Sequence, residues 1–269
     1  MKRLNPYLTG GITPDWIDYL IAFQEAGADA VEIGLPFSDP MLDGATIQQA
    51  SDQALRRGVT VASILADLTA ARDRIRIPLI AMTYANLVFR GAPAHGGGPE
   101  AFCRRLADAG VSGLIVPDVP VDEADRLDEA AAAAGIDLVL LAAPVTPGDR
   151  LAEIGRRSRG FVYAVSVMDT TGERALLAET AAPLARRIKE VTDLPVLIGF
   201  GISTPAQAAA AARAGDGVVI GAALMRRVLD GASPDDLRAE VAAFRTALDQ
   251  VDQEMPVARA HAEISGDRR

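Results

Sequence analysis

The chain has 269 residues, 49% of them hydrophobic, which is enough for one barrel-sized α/β domain or two smaller ones. Its formal net charge of −9 argues against a phosphate-backbone partner, and no apolar run reaches the ~18–20 residues that span a bilayer. Neither nucleic acid nor membrane is therefore expected as a partner.

In chain order, the opening Met1-Lys2-Arg3-Leu4-Asn5-Pro6 lacks the apolar core of a signal peptide. Pro6–Thr9 is the first predicted strand, and Thr13-Pro14 marks a helix start. A helix ending in Ala26-Gly27 then leads into the second strand, Val31-Glu32-Ile33-Gly34. The phrase of helix, Ala-Gly, short gap and apolar strand recurs at Ala109-Gly110, Ala134-Gly135 and Ala214-Gly215, with the glycines predicted as helix C-caps. These turns introduce the fourth strand at Gly113–Asp118, the fifth at Ile136–Leu141 and the eighth at Gly217–Gly221. Pro78–Met82, Phe161–Val165 and Pro195–Gly199 supply the third, sixth and seventh strands. The strands are continuous apolar runs, as parallel strands covered on both faces must be. Further helix starts are expected at Thr146-Pro147, Thr204-Pro205 and Ser233-Pro234, and the last helix carries Leu237, Val241, Phe244 and Leu248 on one face. Arg90–Gly98 reads as a flexible loop.

Eight strands alternating with helices give an α/β fold of a single domain, a (β/α)8 or TIM barrel over residues 1–250, with a polar, frayed tail over 251–269. A doubly wound sheet is the rival, but Thr9-Gly10-Gly11 is a poor match to the glycine-rich turn it requires.

The rare residues narrow the chemistry. The only lysines are Lys2, at the N-terminus, and Lys189, in a charged helical stretch. Neither suits a Schiff-base or pyridoxal-phosphate site. The histidines His95 and His261 and the lone Cys103 form no zinc-binding spacing, so no metal is expected. Cys103 also excludes an internal disulfide, fits a reducing cytoplasm, and reads as a half-buried helix residue. What remains is acid–base chemistry by Asp, Glu and Tyr.

Barrel enzymes carry their sites at the C-terminal ends of the strands. There, Glu32 alternates with Val31 and Ile33 and would point into the barrel, where a charge is costly unless it works or is paired. The long loop that follows holds Asp39 and Asp43. The third strand ends in Thr83-Tyr84-Ala85-Asn86, the fourth in Pro117-Asp118-Val119-Pro120, and Tyr163 lies in the sixth. Small residues after the seventh and eighth strands, Gly199-Phe200-Gly201 and Gly221-Ala222, expose backbone N–H groups suited to phosphate. Plainer readings remain open: the acidic loop as a solvated cap, and Tyr163 as barrel filler.

The run Glu32-Ile33-Gly34-Leu35-Pro36-Phe37-Ser38-Asp39-Pro40, with Asp43-Gly44 and Ile47-Gln48, resembles the signature of the tryptophan synthase α subunit. So do Met82–Asn86, Pro117–Pro120, Thr171-Gly172 and Gly199–Ser203, in order along the chain. The resemblance implies retro-aldol cleavage of indole-3-glycerol phosphate to indole and glyceraldehyde 3-phosphate. It assigns Glu32 as the acid–base group and Asp43 as the carboxylate that stabilises charge at the indole nitrogen. Tyr163 and Phe200 match the indole pocket, and Tyr84 is grouped with them as substrate-binding. Thr171 matches a mobile-loop residue that closes on Asp43, and Gly172, Gly201, Gly221 and Ala222 match the phosphate cradle. The resemblance implies no cofactor in this chain, and a pyridoxal-phosphate β subunit that receives indole through a tunnel in an α2β2 assembly. A stand-alone lyase releasing free indole and a non-catalytic regulatory subunit are the alternatives. At Asp169, Ala222 and Ala45 the family usually carries Gly, Ser and Pro, and the Arg90–Gly98 loop is long on the face where a β subunit would dock.

Overall fold

Runs such as Val31–Gly34 and Gly217–Ile220, every residue of which is buried, leave no solvated face and so can be satisfied only inside a covered parallel sheet. The computed structural model describes residues 1–90, 97–165, 176–199 and 201–266, with backbone alone over 176–180 and 255–266. The chain runs β1 (Arg3–Thr9), α1 (Trp16–Glu25), β2 (Val31–Gly34), α2 (Ala45–Arg56), α3 (Val61–Ala70), β3 (Leu79–Met82), α4 (Ala85–Arg90) and α5 (Pro99–Asp108). It continues with β4 (Gly113–Ile115), α6 (Asp125–Ala134), β5 (Asp137–Leu138), β6 (Leu141–Ala142), α7 (Gly148–Arg157), β7 (Val162–Val165) and α8 (Leu176–Lys189). It ends with β8 (Val196–Gly199), α9 (Pro205–Ala214), β9 (Gly217–Ile220), α10 (Ala222–Leu229) and α11 (Pro234–Gly266).

All pairings are parallel, in the order β5-β4-β3-β2-β1-β9-β8-β7-β6. The two ends of that order are halves of one stretch. The Val139 N–H donates to the Leu114 carbonyl at 2.9 Å on one side, and the Leu140 carbonyl accepts from the Tyr163 N–H at 3.0 Å on the other. The predicted fifth strand is thus β5 plus β6, and it closes the barrel. No strand order reverses, so the doubly wound rival is excluded.

Two cores result. Ala30, Ile80, Ile115, Val139, Phe161, Leu197 and Val219 fill the barrel, while a larger cluster lies between strands and helices. The outer layer includes Leu237, Val241, Phe244 and Leu248 of α11, all buried.

The local signals hold in part. Gly27, Gly110 and Gly135 take the left-handed conformation expected of C-caps, at φ 88°, 85° and 70°. Gly215 does not: it is extended, and a Cβ there would sit 2.7 Å from the Val196 carbonyl, so close approach selects the glycine. Thr204 and Ser233 form reciprocal caps with Gln207 and Asp236. Thr146 does not cap α7, because its hydroxyl accepts from the Ala143 N–H at 2.9 Å. Nor does Thr13 cap α1, which begins at Trp16; the Thr13 hydroxyl is enclosed without a partner. Cys103 is fully rather than half buried, since α5 turns it into the outer core. Helix α4 stands where the sequence suggested only a strand end and loop, and α11 runs through Gln250 without a break.

Both lysines lie at the N-terminal end of the barrel. Lys2 Nζ donates to the Gly215 carbonyl at 2.7 Å, and Lys189 pairs with Asp216 at 2.6 Å.

The β1–β9 seam tolerates no side chain at Gly217, where a Cβ would meet the Arg3 carbonyl oxygen at 2.4 Å. Because backbone cannot swing aside, Gly217→Ala should destabilise the fold by about 1–3 kcal/mol in urea unfolding. An unchanged midpoint would show that the seam is not tightly packed.

Candidate active site

Four side chains of β1 alternate inward: Arg3, Asn5, Tyr7 and Thr9. Tyr7 pairs in register with Glu32, and Glu32 with Ile80, a member of the interior cluster. Tyr7 and Glu32 therefore face the barrel axis, as the alternation around Glu32 predicted.

Glu32 is fully buried, and among the described residues neither carboxylate oxygen has a hydrogen-bond partner. Burial alone pushes its pKa from 4.5 up to about 8. At neutral pH it is an uncharged acid, able to give up a proton and take one back.

Two phenols flank it. Tyr7 and Tyr163 both have pKa values raised well above 10, first by burial and then by the charges of Glu32 and Asp43. Each ring lies over a glycine. A Cβ at Gly34 would lie 1.8 Å from the Tyr7 hydroxyl, and one at Gly199 would lie 2.5 Å from that of Tyr163. The Tyr7 hydroxyl has only a long contact with Thr9 Oγ1, at 3.4 Å.

Asp43 stands in the loop after β2, half buried. Burial raises its pKa, and a hydrogen bond donated by the Tyr84 hydroxyl opposes the rise. That hydroxyl also accepts from the Leu42 N–H at 3.0 Å, and the Tyr84 ring packs on Phe37 with centroids 5.4 Å apart. Tyr84, pushed up to about 12 chiefly by burial, stays protonated and holds the loop in place. Asp118 accepts from the Ala85 N–H at 2.9 Å and so fixes the start of α4 behind Tyr84. Tyr7, Phe37, Asp43, Thr83, Tyr84 and Pro117 line one narrow crevice at this end of the barrel. Asp39 is exposed in the same loop, bonded by Ser38, and does not reach the crevice lining.

The phosphate-type elements are partly in view. Gly221 lies beside Tyr7, its Cβ position 3.5 Å from the Tyr7 Cβ. It precedes α10, whose first residue, Ala222, is exposed and whose N-terminus has no side-chain cap. The free N–H groups there suit an anion. Gly201 is exposed at φ 54°, with open space around it. Thr171, Gly172 and Phe200, along with Asp169, lie outside the described residues. Among the described residues, no group of three or more His, Cys, Asp or Glu could hold a metal ion.

Tyr7 was missed from the sequence, and Thr83 was named only as part of the end of the third strand. The signal for Tyr7 was the alternation of polar residues along the first strand, opposite Gly34.

Fold and site together define a (β/α)8 barrel with an enclosed, uncharged carboxylic acid beneath its C-terminal face. The family model for the tryptophan synthase alpha chain matches residues 2–255. A tryptophan synthase alpha chain of Prochlorococcus marinus (strain MIT 9313) is 42% identical over 90% of this chain and 86% of its own length. That of Gloeobacter violaceus is 41% identical over 94% and 90%. A chain of M. tuberculosis tryptophan synthase, in its open form with BRD0059 bound, superposes with a TM-score of 0.81 at 37% identity, covering 92% of both chains. One from the Pyrococcus furiosus tryptophan synthase α2β2 complex gives 0.81 at 34% identity, covering 91% of this chain and all of that one. The chain belongs to the tryptophan synthase alpha chain family.

The buried acid has a consequence for stability. Between pH 4.5 and about 8 the unfolded chain ionises Glu32 while the folded chain keeps it protonated, so this group lowers stability as pH rises through that window. Glu32→Gln removes the penalty. Relative to the parent, the variant should gain on the order of a few kcal/mol between pH 5 and pH 8 in urea unfolding. A gap of the same size at both pH values would mean that Glu32 is not held neutral.

Proposed function

We propose that this chain cleaves indole-3-glycerol phosphate to indole and glyceraldehyde 3-phosphate, with Glu32 as acid–base catalyst and Asp43 as electrostatic partner. The observation that carries the reading is the fully buried Glu32 carboxyl, unpaired and raised to about 8, next to the crevice that contains Asp43. As the acid, Glu32 gives its proton to indole C3, leaving positive charge on the ring nitrogen, where Asp43 stabilises it. The resulting Glu32 carboxylate takes the proton of the adjacent glycerol hydroxyl. The carbon–carbon bond then breaks: the hydroxyl carbon becomes the aldehyde, and the bonding pair returns to the ring. Glu32 ends as it began, protonated.

Tyr84 positions Asp43 through its hydroxyl. Tyr163 and Phe200 line the indole pocket, and Tyr7 joins them. Gly201, Gly221 and Ala222 receive the phosphate with backbone N–H groups, together with Gly172, while Thr171 closes on Asp43. The reaction combines proton transfers with a heterolytic carbon–carbon cleavage and has no net redox change, so this chain requires no cofactor. Pyridoxal phosphate belongs to a β subunit that takes up the indole; the pairing is an α2β2 assembly, the stoichiometry given for the Pyrococcus furiosus tryptophan synthase complex. We assign this work to the cytoplasm; no helix among the described residues is long and apolar enough to cross a membrane.

Steady-state turnover of indole-3-glycerol phosphate, with and without a β subunit, tests the proposal. The parent should be accelerated by the β subunit. Glu32→Gln and Asp43→Asn should each lose at least ~10²-fold in kcat, as loss of a positioned proton carrier or a transition-state charge requires. If Glu32→Gln kept more than about a tenth of the parent turnover, Glu32 would not be the acid–base group. A parent already at full speed alone would point to a stand-alone lyase.

A further inference from the structure

Among the described residues, a second cavity lies away from the C-terminal crevice. A volume of about 350 Å³ opens at the opposite, N-terminal mouth of the barrel, lined by the first residues of six strand segments. Its size lies at the lower end of the range for small-molecule sites.

Its chemistry is specific. The floor is apolar: Ile80, Val139 and Phe161, all from the interior cluster. On one wall stands Asn5, 2% exposed, its amide oxygen buried and, among the described residues, without a hydrogen-bond partner. A buried polar atom left unpaired in this way costs free energy unless something fills the space beside it.

Two charged side chains frame the opening. Arg3 projects from β1, two residues before Asn5, and Asp137 opens β5. In the strand order these lie four steps apart, which in an eight-stranded ring is the far side. Both are exposed, and among the described residues neither has an ion-pair partner. The other lining carboxylate, Asp29, is already engaged by the Leu4 N–H at 2.8 Å and by Arg245 at 3.1 Å.

We propose that this mouth is a second binding site, for a small zwitterion whose anionic and cationic ends are separated by an apolar span. Its anionic end meets Arg3, its cationic end meets Asp137, the span lies on Ile80, Val139 and Phe161, and a donor group satisfies the Asn5 oxygen. The site is distinct from the crevice at Asp43, although Ile80 is the register partner of Glu32 and joins the two.

The test is titration of the full chain with ω-amino acids of increasing length up to 6-aminohexanoate, with hexanoate and hexylamine as single-charge controls. Binding is read from the NMR signal of the Asn5 side-chain amide. The longer zwitterions should shift that signal and bind at least ~10-fold tighter than either control, the gain from one more charge-assisted hydrogen bond. Arg3→Met and Asp137→Asn, both surface changes far from the crevice, should each abolish that advantage. Asp43→Asn should leave it intact. Absence of any shift at millimolar ligand would mean that the cavity holds water only, and binding indifferent to both Arg3→Met and Asp137→Asn would equally overturn the proposal.

Discussion

The desolvation of a single carboxyl group, Glu32, organises one end of this barrel. A carboxylate enclosed by Ile80, Tyr7 and the surrounding strands, without a partner for either oxygen, cannot keep its charge at neutral pH. The fold accepts the cost of holding it there because the barrel around it is rigid. A ring of eight parallel strands leaves Glu32 nowhere else to go. Strain of this kind collects where chemistry is done.

The surroundings follow from that constraint. Phenols replace cations beside the acid: Tyr7 and Tyr163 remain protonated and bring no positive charge that would pull Glu32 into its ionised form. Gly34 and Gly199 make room for the two rings, which is why neighbouring strands end in glycine at this level. Asp43 feels the same effect of burial, but with a hydrogen bond that opposes it. It lies at the rim, half buried, with the Tyr84 hydroxyl as donor. Two carboxyl groups thus sit in one site with different proton affinities, and acid and electrostatic roles divide between them along that difference.

Much of this was legible in the sequence. The recurring Ala-Gly turns and apolar runs yield the strand count and order, and the single polar residue between Val31 and Ile33 points Glu32 inward. What was not legible depended on long-range contacts. That Ile136–Leu141 would divide into two segments bonded to different neighbours is a consequence of ring closure, which no local pattern encodes. Gly215 looks like a C-cap but is selected by a carbonyl on another strand. Thr146 looks like an N-cap but turns to Ala143. Tyr7 was overlooked because a tyrosine in a first strand reads as core, and the alternation along that strand gains meaning only with its register opposite Glu32. The hold of Tyr84 on Asp43 joins residues from separate loops and needed the fold to appear.

The most direct test of this account is the pKa of Glu32 itself, followed by ¹³C NMR of the side-chain carboxyl in glutamate-labelled protein and assigned by the signal's disappearance in Glu32→Gln. The account predicts that the Glu32 resonance titrates near pH 8, well above the ordinary glutamate value of 4.5. A Glu32 resonance that titrates near that ordinary value would contradict it, since the residue would then be ionised at neutral pH and no acid would be stored beneath the site.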